Sequence, residues 1–404
     1  METEKKQGER NMLYMWIRSG LSTSSLTLAS TAVLSGYLLY AGLDNDQISS
    51  YLAFVPLVNL IISLLLSGLL SGVRQTVKAA TVTFAASGVL TALYAGLFMM
   101  NGKNAAFYPL LMALGGVLSV TTAIRNVFDY KMPCEVMDIG RYSYYLSVGG
   151  VVSGLSGIGT GLVLTACYAR FDFHTVSCGA FFTAGVLLLL AAAVNALIRQ
   201  LQTPEPPTEK KSGALSMVFA VLRDKDFLAL LLPNTLRGVG EAVMAMITVL
   251  AVRRIGIAES DSAVITTIGN IAMFASCIMY GFLAPRLRVP KLCLLGSLLF
   301  VGVIPAFMGG STMFFVLYGI AYVGFNIISN ALPDMIYQNV SPKIMSAFHT
   351  WRLALMTLGT TVATKVFGAV LDDTSVFVIL SAGVGAYLFC SVGYYLRFGK
   401  RKRN

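Results

Sequence analysis

From residue 17 onward the chain is a succession of apolar stretches, each about twenty residues long and separated by short loops. That pattern limits the fold more than any other feature. A helix needs about twenty apolar residues to cross a bilayer, and backbone polar groups in lipid must be satisfied within the segment. Spans are expected at 17–40, 48–70, 79–100, 106–128, 144–166, 177–198, 227–251, 262–284, 291–308, 312–332, 349–370 and 375–396. Charged residues make up only 12% of the 404 residues, about half the share that wets a soluble domain. The expected fold class is an all-α polytopic membrane protein of about twelve transmembrane helices.

The one long polar interruption runs from Gln200 to Asp226, with Pro204, Pro206, Pro207, Lys210 and Lys211 at its centre. It divides the chain into a leader (1–16), a first six-helix bundle (17–199), a cytoplasmic linker (200–226), a second bundle (227–396) and a basic tail (397–404). Of the 30 lysines and arginines, five fall in spans. Four fall in outer loops (Lys103, Arg170, Arg253 and Arg254), leaving 21 on inner segments. That asymmetry places both termini in the cytoplasm. The formal charge of +11 therefore belongs to the membrane surface and its anionic headgroups, and no nucleic-acid partner is expected. The leader carries both signs of charge and no cleavage site, so it reads as a retained cytoplasmic segment and not a signal peptide.

The halves repeat. Gly68…Arg74 after the second span matches Gly281…Arg286 after the eighth, an offset of 213 between the glycines. Gly42 to Asp46 matches Gly256 to Asp261 with an offset of 214, and Asn126…Pro133 matches Asn326…Pro333 with an offset of 200. Three matches in one order indicate a duplication of six spans.

On these residues the chain resembles the major facilitator superfamily over nearly its whole length. Gly281-Phe282-Leu283-Ala284-Pro285-Arg286 is similar to that family's G-x-L-A-D-R loop, with Pro285, and Gly72 in the first copy, standing where the family has Asp. Asp138-Ile139-Gly140-Arg141 and Asn339-Val340-Ser341-Pro342 resemble two further family loops. Span five has many glycines but not the Gly-Pro pair of the drug/proton antiporters. The resemblance implies two six-helix bundles related by pseudo-two-fold symmetry. It implies alternating access about a midplane site near spans one, four, seven and ten, with Gly68, Arg74, Gly281 and Arg286 as the gating loops.

An ionisable group inside a membrane is costly, so each is a functional candidate. Arg237 lies eleven residues past Asp226, about 16 Å along a helix, and Glu241 follows on the same face one turn later. Two readings stand: a substrate and proton site, or a self-satisfied structural ion pair. Glu241 is the acidic group placed to carry a coupling proton. Pro233, Gly238 and Gly240 predict a local irregularity in this span. Ser24 and Thr27 in span one, Thr122 in span four and Asn326 in span ten are candidate substrate contacts, or alternatively helix-packing polars. Arg18, Arg125 and Arg352 near the inner ends are weaker candidates. Lys365, near Asp372 and Asp373, is expected to snorkel or pair there. Gly150 and Gly154 read as a face for close helix packing.

The six cysteines show no metal spacing; Cys167 and Cys178 flank one outer loop, and free thiols are the expected state. Neither metal nor cofactor is expected, and the absence of a G-x-x-x-x-G-K-[ST] loop leaves an ion gradient or facilitated flow as the energy source. The expected protein is a secondary transporter of a small polar or anionic solute, with protons as its possible co-substrate. It would work as a monomer in a bacterial inner membrane. The alternatives are a transporter-like sensor or assembly factor, or an intramembrane enzyme built on Gly154, Ser156 and Gly157, for which His174 and His349 would have to supply the base.

Overall fold

The computed structural model of the protein describes residues 2–70, 73, 75–100, 104–137, 142–201, 225–284, 286–339, 345–371 and 375–399. The described chain is helical throughout, and ten helices are long and apolar enough to cross a membrane. The first and seventh expected spans are both broken. Span one is α1 (Glu2–Leu28) followed by α2 (Thr31–Tyr40). Ser30 takes extended backbone between them, and its hydroxyl caps α2 by accepting from the Val33 amide at 3.3 Å. Span seven is α8 (Lys225–Ala245) and α9 (Ile247–Ile255), bent by 50° at Met246. Pro233, Gly238 and Gly240 lie inside the unbroken α8, so the irregularity falls six residues beyond Gly240, at Met246. These glycines serve close packing instead.

The other helices are α3 (Asn45–Leu70), α4 (Thr76–Phe98), α5 (Phe107–Val136), α6 (Tyr142–Tyr168), α7 (Phe173–Ala196), α10 (Ser262–Leu283), α11 (Val289–Phe300), α12 (Val303–Ala306), α13 (Ser311–Asn339), α14 (Met345–Val370) and α15 (Val376–Phe398). They form two compact units. The first comprises Met1–Leu43, Val58–Lys210 and Ser260–Thr267; the second comprises Asp44–Leu57, Lys211–Glu259 and Ile268–Asn404.

Within the first unit α1 packs on α6 and α7, and α4 packs on α5 and α7. Within the second, α8 packs on α14 and α15, and α11 packs on α13 and α15. The two patterns are the same, helix for helix. The positive-φ glycines, Gly42 (φ 82°) and Gly256 (φ 73°), are the matched pair of the sequence repeat, each in the left-handed turn that ends a broken span.

Large apolar side chains on the outside, such as Phe182, Phe282 and Phe389, are exposed as a lipid-facing surface requires. Buried aromatics fill the units: Tyr37, Phe84, Tyr94 and Phe98 in the first, and Phe300, Phe314, Tyr387 and Tyr394 in the second.

Three expectations change. The leader is not separate from span one, because α1 starts at Glu2. Asn11 pins it by donating to the carbonyls of Val136 and Arg199, both at 2.7 Å. Gly150 is exposed with open space beside it, so it is no packing face; close approaches in the first unit include Gly88 with Gly185 and Gly161 with Thr267. Lys365 pairs with Asp46 at the start of α3 and donates to Ser50 Oγ at 2.6 Å. Asp372 and Asp373, its expected partners, lie outside the described residues. Both members of the Lys365–Asp46 pair are well exposed, so Lys365→Ala is expected to cost no more than about 1 kcal/mol, less at high salt, in thermal unfolding. Cys167 and Cys178 are free thiols.

Candidate functional site

In the second unit, Arg237 and Glu241 face each other one helical turn apart on α8, with Nη2 to Oε1 at 2.7 Å. The guanidinium side chain is 8% exposed and the carboxylate side chain 21%. The pair is therefore mostly dry, but the acid keeps access to an open space. Arg237 Nη2 also donates to Ser329 Oγ of α13 at 2.9 Å.

Two glycines bring α8 close enough for this. Gly238 lies directly against the backbone of α14 at Met356 and Thr360, and Gly359 of α14 lies against the Thr235 carbonyl. Two residues further, the Tyr387 ring of α15 covers Gly240, where a Cβ would collide with it. Asn234 fastens the same interface by donating to the Arg352 carbonyl at 2.9 Å.

Helix α13 supplies the polar side of the site. Tyr322, Asn326, Ser329 and Asn330 recur at helical spacing on one half-buried face. An aromatic chain runs beside the ion pair: Tyr318 to Tyr322 (5.5 Å between centroids), Tyr322 to Phe325 (5.4 Å), Phe325 to Tyr387 (5.8 Å) and Tyr387 to Phe300 (4.7 Å). Such a surface offers a fixed donor, a fixed acceptor, hydroxyls, amides and a flat wall. A solute with several hydroxyls or a planar ring fits that chemistry.

The first unit holds a second charged cluster. Arg18 of α1 donates to Asn195 Oδ1 of α7 at 2.9 Å and pairs with Asp129 of α5 at 3.0 Å. Asn195 in turn donates to the Val77 carbonyl (3.1 Å) and to Thr81 Oγ1 (2.9 Å) of α4. Arg18 is 5% exposed, so its guanidinium is enclosed by helices. The guanidinium carbons of Arg18 and Arg125 each lie 5.1 Å from the ring centroid of Phe84.

Arg237, Glu241 and Asn326 are thus placed in one unit, with Asn326 donating to the Tyr322 carbonyl at 2.8 Å. Ser24, Thr27 and Thr122 belong to the other. Thr27 donates to the Thr23 carbonyl within its own helix, and Ser24 accepts from Thr160 of α6 at 2.9 Å. Ser25 and Ser19 likewise tie α1 to α7 and α6. The hydroxyls of span one mostly hold helices together. Gly68 lies in the last turn of α3 and Gly281 near the end of α10; Arg286 is exposed, and Arg74 lies outside the described residues.

A largely apolar cavity of about 680 Å3 opens among α1, α6 and α7, lined by Ser24, Ser156, Thr160 and Thr183 among apolar neighbours. Ser156 is in this cavity, whereas His174 contacts Tyr37 Oη at 3.1 Å and Cys178 Sγ, away from its lining. Among the described residues nothing joins Ser156 to a base. His349, with its side chain outside the described set, adds nothing to that reading.

No sequence signal marks Tyr322, Phe325, Ser329 or Tyr387 as neighbours of the ion pair. Only the helix packing brings them there. Asp129 stands four residues after Arg125, and that spacing was the available signal for a charged cluster.

No protein-family model matches the chain, and no curated protein matches it by sequence. Solved structures do match by fold. A mutant of the nucleoside transporter NupG superposes with a TM-score of 0.74 at 13% identity, over 96% of this chain and 100% of that one. A bacterial homologue of the lysosomal transporter Spinster, inward-facing and unoccupied, gives 0.66 at 13% identity, over 97% and 95%. A D-xylose–proton symporter gives 0.69 at 14%, over 94% and 96%. The chain has the fold of the major facilitator transporters.

Proposed function

We propose that this protein is a secondary transporter of a small polar or anionic solute, alternating the access of its site between the two sides of the membrane. The observation that carries the reading is the Arg237–Glu241 pair, held in a dry helix interface yet open on the acid's side. A buried ion pair is weak as a source of stability, so a partly accessible one within a span is better explained by use. The fold supports the reading, because the matched structures include transporters named for nucleosides and for xylose with protons.

Arg237 would hold a hydroxyl or anionic group of the solute while Tyr322, Asn326 and Ser329 contact the rest. Glu241 would alternate between its ion pair with Arg237 and a protonated form that releases the guanidinium to the solute. One proton then travels with each turnover. Ser24, Thr27 and Thr122 remain proposed contacts of lower weight, given how Ser24 and Thr27 are hydrogen-bonded. The protein would act as a monomer in a bacterial inner membrane, with both termini in the cytoplasm and the loops at Gly68, Arg74, Gly281 and Arg286 regulating closure.

Reconstituted into proteoliposomes, the Glu241→Gln variant is expected to lose solute accumulation driven by an imposed pH gradient, falling to background. Exchange of labelled for unlabelled solute should persist, since exchange needs no net proton movement. Accumulation equal to wild type, with the same pH dependence, would remove Glu241 from the coupling role. A ligand that binds wild type specifically and is never moved would favour a sensor.

A further inference from the structure

The charges of the first unit do not balance. Arg18 and Arg125 share one nearby carboxylate, Asp129, and Arg18 takes it at 3.0 Å. Arg125 is 7% exposed and makes neither an ion pair nor a hydrogen bond among the described residues; its recorded contact is the face of Phe84. It sits within the membrane span Phe107–Asp129. A guanidinium in that position is costly, and a ring face offsets only a small part of the cost. In the second unit the ion pair is closed, Arg237 against Glu241. Among the described charges of the first unit, the surplus positive charge therefore falls on Arg125.

Its surroundings suit an oxyanion. Thr121 and Thr122 stand one turn before Arg125 on α5, and Ser87 of α4, one turn from Phe84, donates to Thr121 Oγ1 at 3.2 Å. Asp129, one turn beyond, lies 3.0 Å from Arg18 and its charge also acts on Arg125, so one carboxylate serves two guanidinium groups and one positive charge is left over. A guanidinium fork with two unused edges and adjacent hydroxyls is matched to a carboxylate or a phosphate.

We propose that Arg125 is an anion-binding residue, which receives a carboxylate or phosphate group of the solute, with Phe84 as its backstop and Thr122 as the accompanying hydroxyl donor, the Thr121 hydroxyl being donated to the Leu118 carbonyl at 2.9 Å. Arg18 is the positioning residue: it takes Asp129 as its ion-pair partner, so that Arg125 makes no ion pair of its own. This deepens the transport reading by naming an acidic solute as its cargo and rests on that reading for its purpose, whereas the binding chemistry stands apart from transport.

The test is thermal unfolding of purified protein in neutral detergent, titrated with sodium pyruvate, sodium lactate and inorganic phosphate at constant ionic strength. A parallel arm uses nanodiscs with and without phosphatidylglycerol, because a lipid phosphate offers the same chemistry. At least one soluble anion is expected to stabilise wild type and Lys365→Ala, whose exposed cation lies outside the binding machinery, and to bind Arg125→Gln at least about tenfold more weakly, the loss of one charge-assisted contact. Arg125→Lys should recover part of the affinity. A readout that needs no variant is phenylglyoxal labelling of wild type, in which the same anion should protect Arg125 from modification. Stabilisation by phosphatidylglycerol alone, equal binding to Arg125→Gln, or no stabilisation and no protection by any soluble anion would each overturn the proposal. Loss of binding in Arg237→Gln but not in Arg125→Gln would also overturn it, while leaving the transport reading intact.

Discussion

Arg237→Met is expected to destabilise the protein by about 3–5 kcal/mol, because it strands the Glu241 carboxylate in a helix interface that is mostly closed to water. The 21% exposure of that carboxylate side chain places the expected cost toward the lower end of the range. The double variant Arg237→Met with Glu241→Met removes both charges and should recover most of the loss. Buried pairs replaced by apolar residues of similar volume are commonly neutral or better. If the pair exists for solute and proton, the double variant is a well-folded protein that does nothing. Thermal unfolding of the three proteins side by side measures the stability part. Recovery of both stability and transport in the double variant would make the pair a structural element of no functional consequence.

A second large effect is expected at Gly238. A Cβ there would meet the Met356 carbonyl, the Gly359 carbonyl carbon and the Thr360 amide, all backbone atoms of α14, so no side chain can turn aside. Gly238→Ala should cost about 3 kcal/mol, at the upper end of overpacking, and should weaken solute binding by moving Arg237. Gly150→Ala is the control. It is also a helical glycine, but nothing lies within 4 Å, so the added methyl should be neutral or stabilise by about 0.5–1 kcal/mol through helix propensity. Thermal unfolding of the two variants compares them directly. Equal effects at the two positions would mean that the close approach of α8 and α14 does not exist.

These contrasts show what the sequence discloses and what it withholds. Apolar length and the Lys/Arg asymmetry made the membrane class and the helix content legible, because lipid leaves the chain so few alternatives. The repeat was legible as well: Gly42 and Gly256, matched by offset alone, are the two left-handed glycines among the described residues. Arg237 and Glu241 stood out as charges where charges are costly. Breaks in helices were harder to place. Pro233 and two glycines pointed to the middle of α8, but neighbouring helices hold that segment straight, and the bend lies at Met246. The aromatic neighbours were invisible because Tyr322, Phe325 and Tyr387 come from helices distant in sequence and are, residue by residue, ordinary apolar-span residues. Glycine spacing misled at Gly150 for a related reason, since spacing shows which residues share a face and not which face meets another helix.

The most direct measurement is counterflow in proteoliposomes, with a panel of sugars, organic anions, amino acids, nucleosides and cationic drugs, comparing wild type with the Arg237→Met, Glu241→Met double variant. The expected result is exchange of at least one labelled solute class by wild type and none by the folded double variant. Specific binding of a solute by wild type without any exchange, or equal exchange by both proteins, would contradict the assignment of transport to the Arg237–Glu241 site.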